Sequence, residues 1–268
     1  MSQVFALITS DSALVRCELD RVRSQFPLEG GSVVGVGGWQ DGQVVQQRYG
    51  QGAPTEEAWE APDSEVVMIS SRALGVGEGI EDSSQPFRFR QWLFAAAGSL
   101  DRGAEVRDRL REELPEFLAA AVRGPTWEEA AFARYLAELR NIGRIEDPQL
   151  DSATAAACLA SCAKAIEQVS GLTGVTTRPG FTLVASNGRI VLATRRGAES
   201  LSYKLLEGHV ECGRHEIKAS ASDAESTVRD HRRRRSVAIA SGVQGEGWVA
   251  LPDGSTLAID RRLSVTIR

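Results

Sequence analysis

Short strand-type segments fill both ends of this chain and helical segments separate them, an order that restricts the fold to layered α and β structure. The opening stretch SQVFALIT reads as a buried strand that begins at Ser2. VVGVGGW, QVVQQRY, EVVMISS and WLFAAAG are short, apolar or alternating, and bounded by Gly, Pro, Asp and Ser, as strands should be. Between the first two strands, Val15, Leu19, Val22 and Phe26 recur at helical spacing behind Asp11 and Ser12, which suit a helix cap. In the middle of the chain, Val106, Leu110, Leu114, Phe117 and Leu118 predict a helix interrupted near Pro115. Thr126 and Glu129 predict a capping box that opens a second helix through Ala130, Ala133, Tyr135, Leu136 and Leu139. Ser152 starts a third, with Leu159, Cys162, Ile166 and Val169 on one face. Past Gly180, FTLVAS and RIVLAT flank Asn187-Gly188, a strong hairpin signal, and SVAIAS, GWVAL, STLAID and LSVTIR carry the strand pattern onward. The polar stretch 219–235 reads as an exposed or partly disordered excursion.

At 268 residues and 42% hydrophobic the chain can bury one large core or two modest ones, and a single domain over 1–268 is expected. No apolar run approaches the roughly 20 residues of a membrane span, and no basic segment followed by an apolar stretch marks a secretory leader. The expected location is therefore the cytoplasm, without membrane association. A net charge of −5 argues against nucleic acid as a partner. Four cysteines, Cys17, Cys158, Cys162 and Cys212, are too sparse for a disulfide framework.

Five segments carry a family resemblance: the strand after Ser2, then Ser70-Ser71-Arg72, Ser84-Gln85-Pro86-Phe87, Phe94-Ala95-Ala96-Ala97-Gly98, and Gly124-Pro125-Thr126-Trp127-Glu128-Glu129. In order and rough spacing they resemble the class II glutamine amidotransferases, and in particular the stand-alone branch that includes γ-glutamyl hydrolases. GVGGWQDG and the closing GWVALPDGSTLAIDRRLSVTIR extend the likeness over nearly the whole chain. The resemblance implies an N-terminal nucleophile hydrolase fold, an α+β four-layer αββα sandwich. It also implies an amide-cleaving site: an N-terminal cysteine nucleophile, an arginine for the substrate carboxylate, an Asn-Gly oxyanion hole and an aspartate for the substrate ammonium.

Carried over position by position, that site is degenerate. Ser2 stands at the nucleophile, and Arg72 keeps the carboxylate-binding position. Ala97 replaces the oxyanion asparagine beside Gly98, and Trp127 replaces the ammonium-binding aspartate. Histidines expected before Arg72 and in the Ser84–Phe87 segment are missing. Losing one oxyanion donor costs about 10²–10³ in rate. Losing a charge partner costs about 2–5 kcal/mol by analogy with interface pairs. The expected protein is a catalytically inactive relative with a binding or regulatory role, using no cofactor. Its partner class stays open among another protein, a small carboxylate ligand held by Arg72, and a second copy of the chain. The alternative is an amidohydrolase that uses Ser2 after methionine removal on a substrate other than glutamine, because a retained Met1 leaves Ser2 without a free amine.

Other polar clusters are read plainly. His209, Cys212 and His215 recur every third residue, a metal-ligand spacing, but Gly208 and Gly213 disfavour a helix there and loop histidines are expected, with no metal. Arg232 to Arg235 read as a solvated loop, Cys158 and Cys162 as helix core, and Gly75, Gly77 and Gly79 as a loop beside the old pocket.

Overall fold

A computed structural model describes residues 2–28, 33–50, 55–74, 79–174 and 177–268. Its strands are β1 (Gln3–Thr9), β2 (Val33–Gln40), β3 (Gln43–Tyr49), β4 (Val66–Arg72), β5 (Phe87–Phe89), β6 (Trp92–Ser99), β7 (Gly180–Ser186), β8 (Val191–Arg196), β9 (Leu201–Leu206), β10 (Ser236–Ser241), β11 (Val249–Ala250), β12 (Thr256–Ile259) and β13 (Val265–Ile267). The α-helices are α1 (Val15–Val22), α2 (Ile80–Ser83), α3 (Gly103–Glu112), α4 (Glu116–Ala119), α5 (Trp127–Asn141), α6 (Ser152–Leu172) and α7 (Ser226–Arg233).

Two antiparallel sheets hold the strands, in the orders β11-β9-β10-β1-β4-β2-β3 and β13-β12-β8-β7-β6-β5. Both faces of each sheet are covered, so the central strands are apolar throughout and period-two alternation sorts their side chains between layers. In β1, Val4, Ala6 and Ile8 point between the sheets, toward Leu93, Ala95, Ala97, Val184 and Ala193 of the second sheet. Phe5 and Leu7 point outward, onto Val15, Leu19 and Val22 of α1 and onto Phe26 and Trp59. Phe94, Ala96, Phe181 and Leu183 face outward from the second sheet onto α3, α5 and α6. The result is the expected αββα sandwich with three buried layers.

Local rules explain some boundaries. The Asp11 carboxylate accepts the Ala13 N–H at 3.0 Å, and the Asp151 carboxylate accepts the Thr154 N–H at 2.8 Å to open α6. Asp41 (φ 51°) and Gly42 (φ 76°) take the left-handed conformations a tight β2–β3 turn needs.

Several expectations are corrected. The Thr126–Glu129 capping box does not form: Glu129 accepts instead from the Gly124 and Arg123 N–H groups, at 2.5 and 3.0 Å, and the Thr126 hydroxyl makes no cap bond. Phe117 is exposed, because the break at Pro115 resets the helical phase and turns its ring out beside the Arg140 guanidinium. The 219–235 excursion contains α7, which buries Val228 and His231 three residues apart on one face. Arg234, expected in a solvated run, is buried against the carboxylate of Glu18 at 2.5 Å, also buried. Cys158 and Cys162 pack in the α6 core as expected. Gly75 and Gly77 lie outside the described residues, as does Met1. Among the described residues, no helix is long and apolar enough to cross a membrane.

Candidate functional site

Strand register assembles the predicted site at one end of the sandwich. β1 and β4 run antiparallel with Gln3 opposite Ser71, so Ser2, one residue earlier, lies at the strand end that carries Arg72. The Ser71 hydroxyl donates to the Gln3 side-chain carbonyl at 2.9 Å and fixes that end. From the second sheet, Gly98 near the end of β6 comes against Ser2, whose Oγ accepts the Gly98 N–H at 3.1 Å. The two sheets are thus joined where the resemblance places nucleophile and oxyanion donor. Gly98 sits at φ 113°, and a Cβ there would lie 2.3 Å from the Gly180 carbonyl oxygen, so only glycine fits.

Arg72 is half-buried, and its guanidinium donates to the Ser83 carbonyl at 3.3 Å. That bond ties the last residue of α2 to the Ser2 end. The following residues are also held: the Gln85 side-chain oxygen, in the segment where a histidine is missing, accepts the Ala96 N–H at 2.5 Å. Gly35 of β2 makes this approach feasible, since a Cβ on it would lie 1.8 Å from the Gln85 carbonyl oxygen.

Ala97 is fully buried between the sheets, and its cross-strand neighbour is Thr182. The Thr182 hydroxyl is buried and makes no hydrogen bond. An orphan polar group therefore faces the position where the resemblance implies an asparagine. Trp127 takes a different direction. It opens α5, is buried in the outer layer of the second sheet, and packs edge-on against Phe181 at 5.8 Å between ring centroids. Phe181 is the register partner of Gly98, so the Phe181 ring links Trp127 to the site, and Ala96 faces the same outer layer. Of the residues named from the sequence, Ser2, Gly98 and Arg72 share one end of the fold, Ala97 adjoins it between the sheets, and Trp127 stands behind it.

A cleft of about 840 Å³ opens at the opposite end of the sandwich, lined by polar residues that include Asp41, Asp63, Glu65, Asn187, Arg189 and Arg261. It is remote from Ser2, because it meets the other ends of β2, β4 and β7.

The His209–Cys212–His215 spacing resolves into a different group. His209 is exposed and stands outside it; Cys212 and His215 instead come together with Cys17 and His231, which the spacing did not reveal. Cys17 lies on α1 and His231 on α7, so no local pattern in the chain links them.

No protein-family model matches the chain, and no curated protein matches it. Solved structures do. A glutamine aminotransferase class-II domain protein from Silicibacter pomeroyi superposes with a TM-score of 0.62 at 18% identity, over 99% of this chain and 98% of that one. A predicted glutamine amidotransferase from Pseudomonas aeruginosa gives 0.57 at 15% identity, over 100% and 96%. The glutamine phosphoribosylpyrophosphate amidotransferase of B. subtilis gives 0.55 at 11% identity over 99% of this chain but 48% of that enzyme, so this chain spans about half its length. The fold is that of class II glutamine amidotransferase domains.

Proposed function

We propose that this chain is a class II glutamine amidotransferase-like protein that no longer hydrolyses glutamine and acts by binding, its former pocket retaining Arg72 for a carboxylate-bearing ligand. One observation carries the reading: the Gly98 amide, the remaining oxyanion donor, bonds the Ser2 hydroxyl at 3.1 Å, while the neighbouring Ala97 offers a methyl group where a carboxamide is required. A tetrahedral intermediate would find no side-chain donor at that position, a loss of about 10²–10³ in rate for one donor. The unpartnered Thr182 hydroxyl facing Ala97 supports the same history, since a carboxamide at 97 would lie across the strand pair from it. Trp127, packed on Phe181, supplies no carboxylate for a substrate ammonium group.

The test is glutamine and γ-glutamyl amide turnover by protein of defined N-terminus, with Ser2→Ala as control. The expected rate is the same for both. Ser2-dependent release of ammonia from glutamine would overturn the proposal. The binding role is checked by thermal shift with small mono- and dicarboxylates, where stabilisation is expected and is lost in Arg72→Ala.

The position of Ser2 favours a second reading. Its hydroxyl is held at the sheet end that an N-terminal nucleophile occupies, and removal of Met1 would free an amine to act as its base. Mass determination of the N-terminus decides whether that route exists, and retention of Met1 eliminates it.

A further inference from the structure

We propose that Cys17, Cys212, His215 and His231 form a structural zinc site that fastens the 207–235 excursion to α1. Their candidate ligand atoms all lie within 4.8 Å of one another. His215 Nδ1 is the hub, 3.4 Å from Cys17 Sγ, 3.5 Å from Cys212 Sγ and 3.2 Å from His231 Nε2. A tetrahedral zinc with its usual bonds to sulfur and nitrogen has ligand–ligand edges of about 3.3–3.8 Å; the two His215–cysteine separations fall in that range and the His215–His231 separation just below it. A hydrogen-bond network is the competing explanation, but Nδ1 carries either one proton or one lone pair and so makes one well-directed hydrogen bond, not three, whereas a metal at the centre uses a lone pair from each of the four.

The surroundings are those of a metal centre. His231 Nδ1 lies 2.7 Å from the Thr227 carbonyl oxygen, which places the ring proton there and leaves the Nε2 lone pair facing the group. Orientation of a ligand histidine through its second nitrogen is the usual outer-shell arrangement. Cys212 and His215 sit in a tight turn closed by paired hydrogen bonds between Cys212 and Ile217, each 3.0 Å, and Glu216 adopts φ 54° to close it. Gly208 lets this segment approach α7, since a Cβ on it would lie 1.9 Å from the Arg232 carbonyl oxygen. Two thiolates and two neutral imidazoles balance one divalent cation and select zinc among the metals such a ligand set takes. Four protein ligands fill the tetrahedron, so the site is closed and structural.

The fold shows why such a fastening is needed. Between β9 and β10 the chain makes an isolated bridge and the arginine-rich, eight-residue α7, too short to be stable by itself. The apolar cluster beneath is small: Leu14, Cys17, Cys212, Ile217 and Val228 are its buried members. Ion pairs flank the group on both sides. Arg234 meets Glu18, next to Cys17, and Arg214, between the two turn ligands, meets Asp20 and Glu60. The site lies on the outer face of the seven-stranded sheet, where α1 packs, and does not involve Ser2, so this inference stands apart from the proposed function.

The test is metal analysis of the full chain as purified and after incubation with zinc, joined to the spectrum of the cobalt(II)-substituted protein. About one zinc per chain is expected, with cobalt giving the intense visible bands of a tetrahedral thiolate site. Cys212→Ser and His231→Gln should lower bound zinc at least about tenfold, and His209→Gln should leave it unchanged. Because the ligand variants could misfold, unmodified protein is also stripped with a chelator, and a lower melting temperature restored by added zinc is expected. Wild-type protein that binds less than about a tenth of an equivalent after zinc loading, or cobalt protein without thiolate bands, overturns the proposal.

Discussion

The proposed loss of glutamine hydrolysis turns most on Ala97. Its methyl group is fully buried in the layer between the sheets, and its cross-strand neighbour is Thr182, whose hydroxyl is unpartnered. Ala97→Asn would place a carboxamide in that layer with Thr182 as its single ready partner, and an incompletely paired buried amide costs about 1–3 kcal/mol. Expected by urea titration is a fall in stability of that size, with no gain in glutamine turnover, because on the proposed reading the Trp127 position supplies no carboxylate for the substrate ammonium; a Ser2-dependent gain would show that the pocket is otherwise intact. The identities of these residues were legible from their positions in the FAAAG and GPTWEE segments. Their surroundings were not: that Trp127 turns away from Ser2 onto Phe181 is set by the start of α5, and the Thr126–Glu129 signal misassigns the bonds at that start.

At the scale of elements, α1, α3, α5 and α6 were found from apolar spacing, while α7 and the attachments of the helices were not. Asp151 illustrates a local device. The Thr154 N–H holds its carboxyl below the usual carboxylate range, so the folded value lies under the unfolded one near 3.9 and the charged cap's contribution is complete above about pH 5. It is lost as pH falls through the folded value. Asp151→Ala should cost about 1 kcal/mol at neutral pH, and the gap from wild type should narrow in unfolding measurements at pH 3. Glu18 illustrates a long-range device. Its buried carboxylate receives Arg234, from beyond α7, and Arg21, from its own helix. Glu18→Leu strands a buried guanidinium and is expected to cost about 3–5 kcal/mol, whereas pairing it with Arg234→Met should recover much of that loss. Equal losses in the single and double variants would contradict the coupling. Sequence reading placed Arg234 in a solvated run because the 216 positions separating it from Glu18 leave no periodicity to read.

Across the whole molecule, the layering was legible because strands buried on both faces announce themselves as continuous apolar runs, while strand order and the cysteine–histidine group depend on contacts between distant segments. β1 and β6 each contribute to two of the three buried layers, which makes independent melting of the layers unfavourable. Far- and near-ultraviolet circular dichroism should report one coincident unfolding transition, and separated midpoints would show that the layers form distinct cooperative units. Gly35 makes the same point from the other direction. A hydrogen in place of a Cβ on its α-carbon is what lets the Gln85 backbone nest against the first sheet. Even a methyl group there would wedge the seam apart, pull the Gln85 carboxamide off the Ala96 amide, and loosen the corner from which Arg72 is buttressed through Ser83.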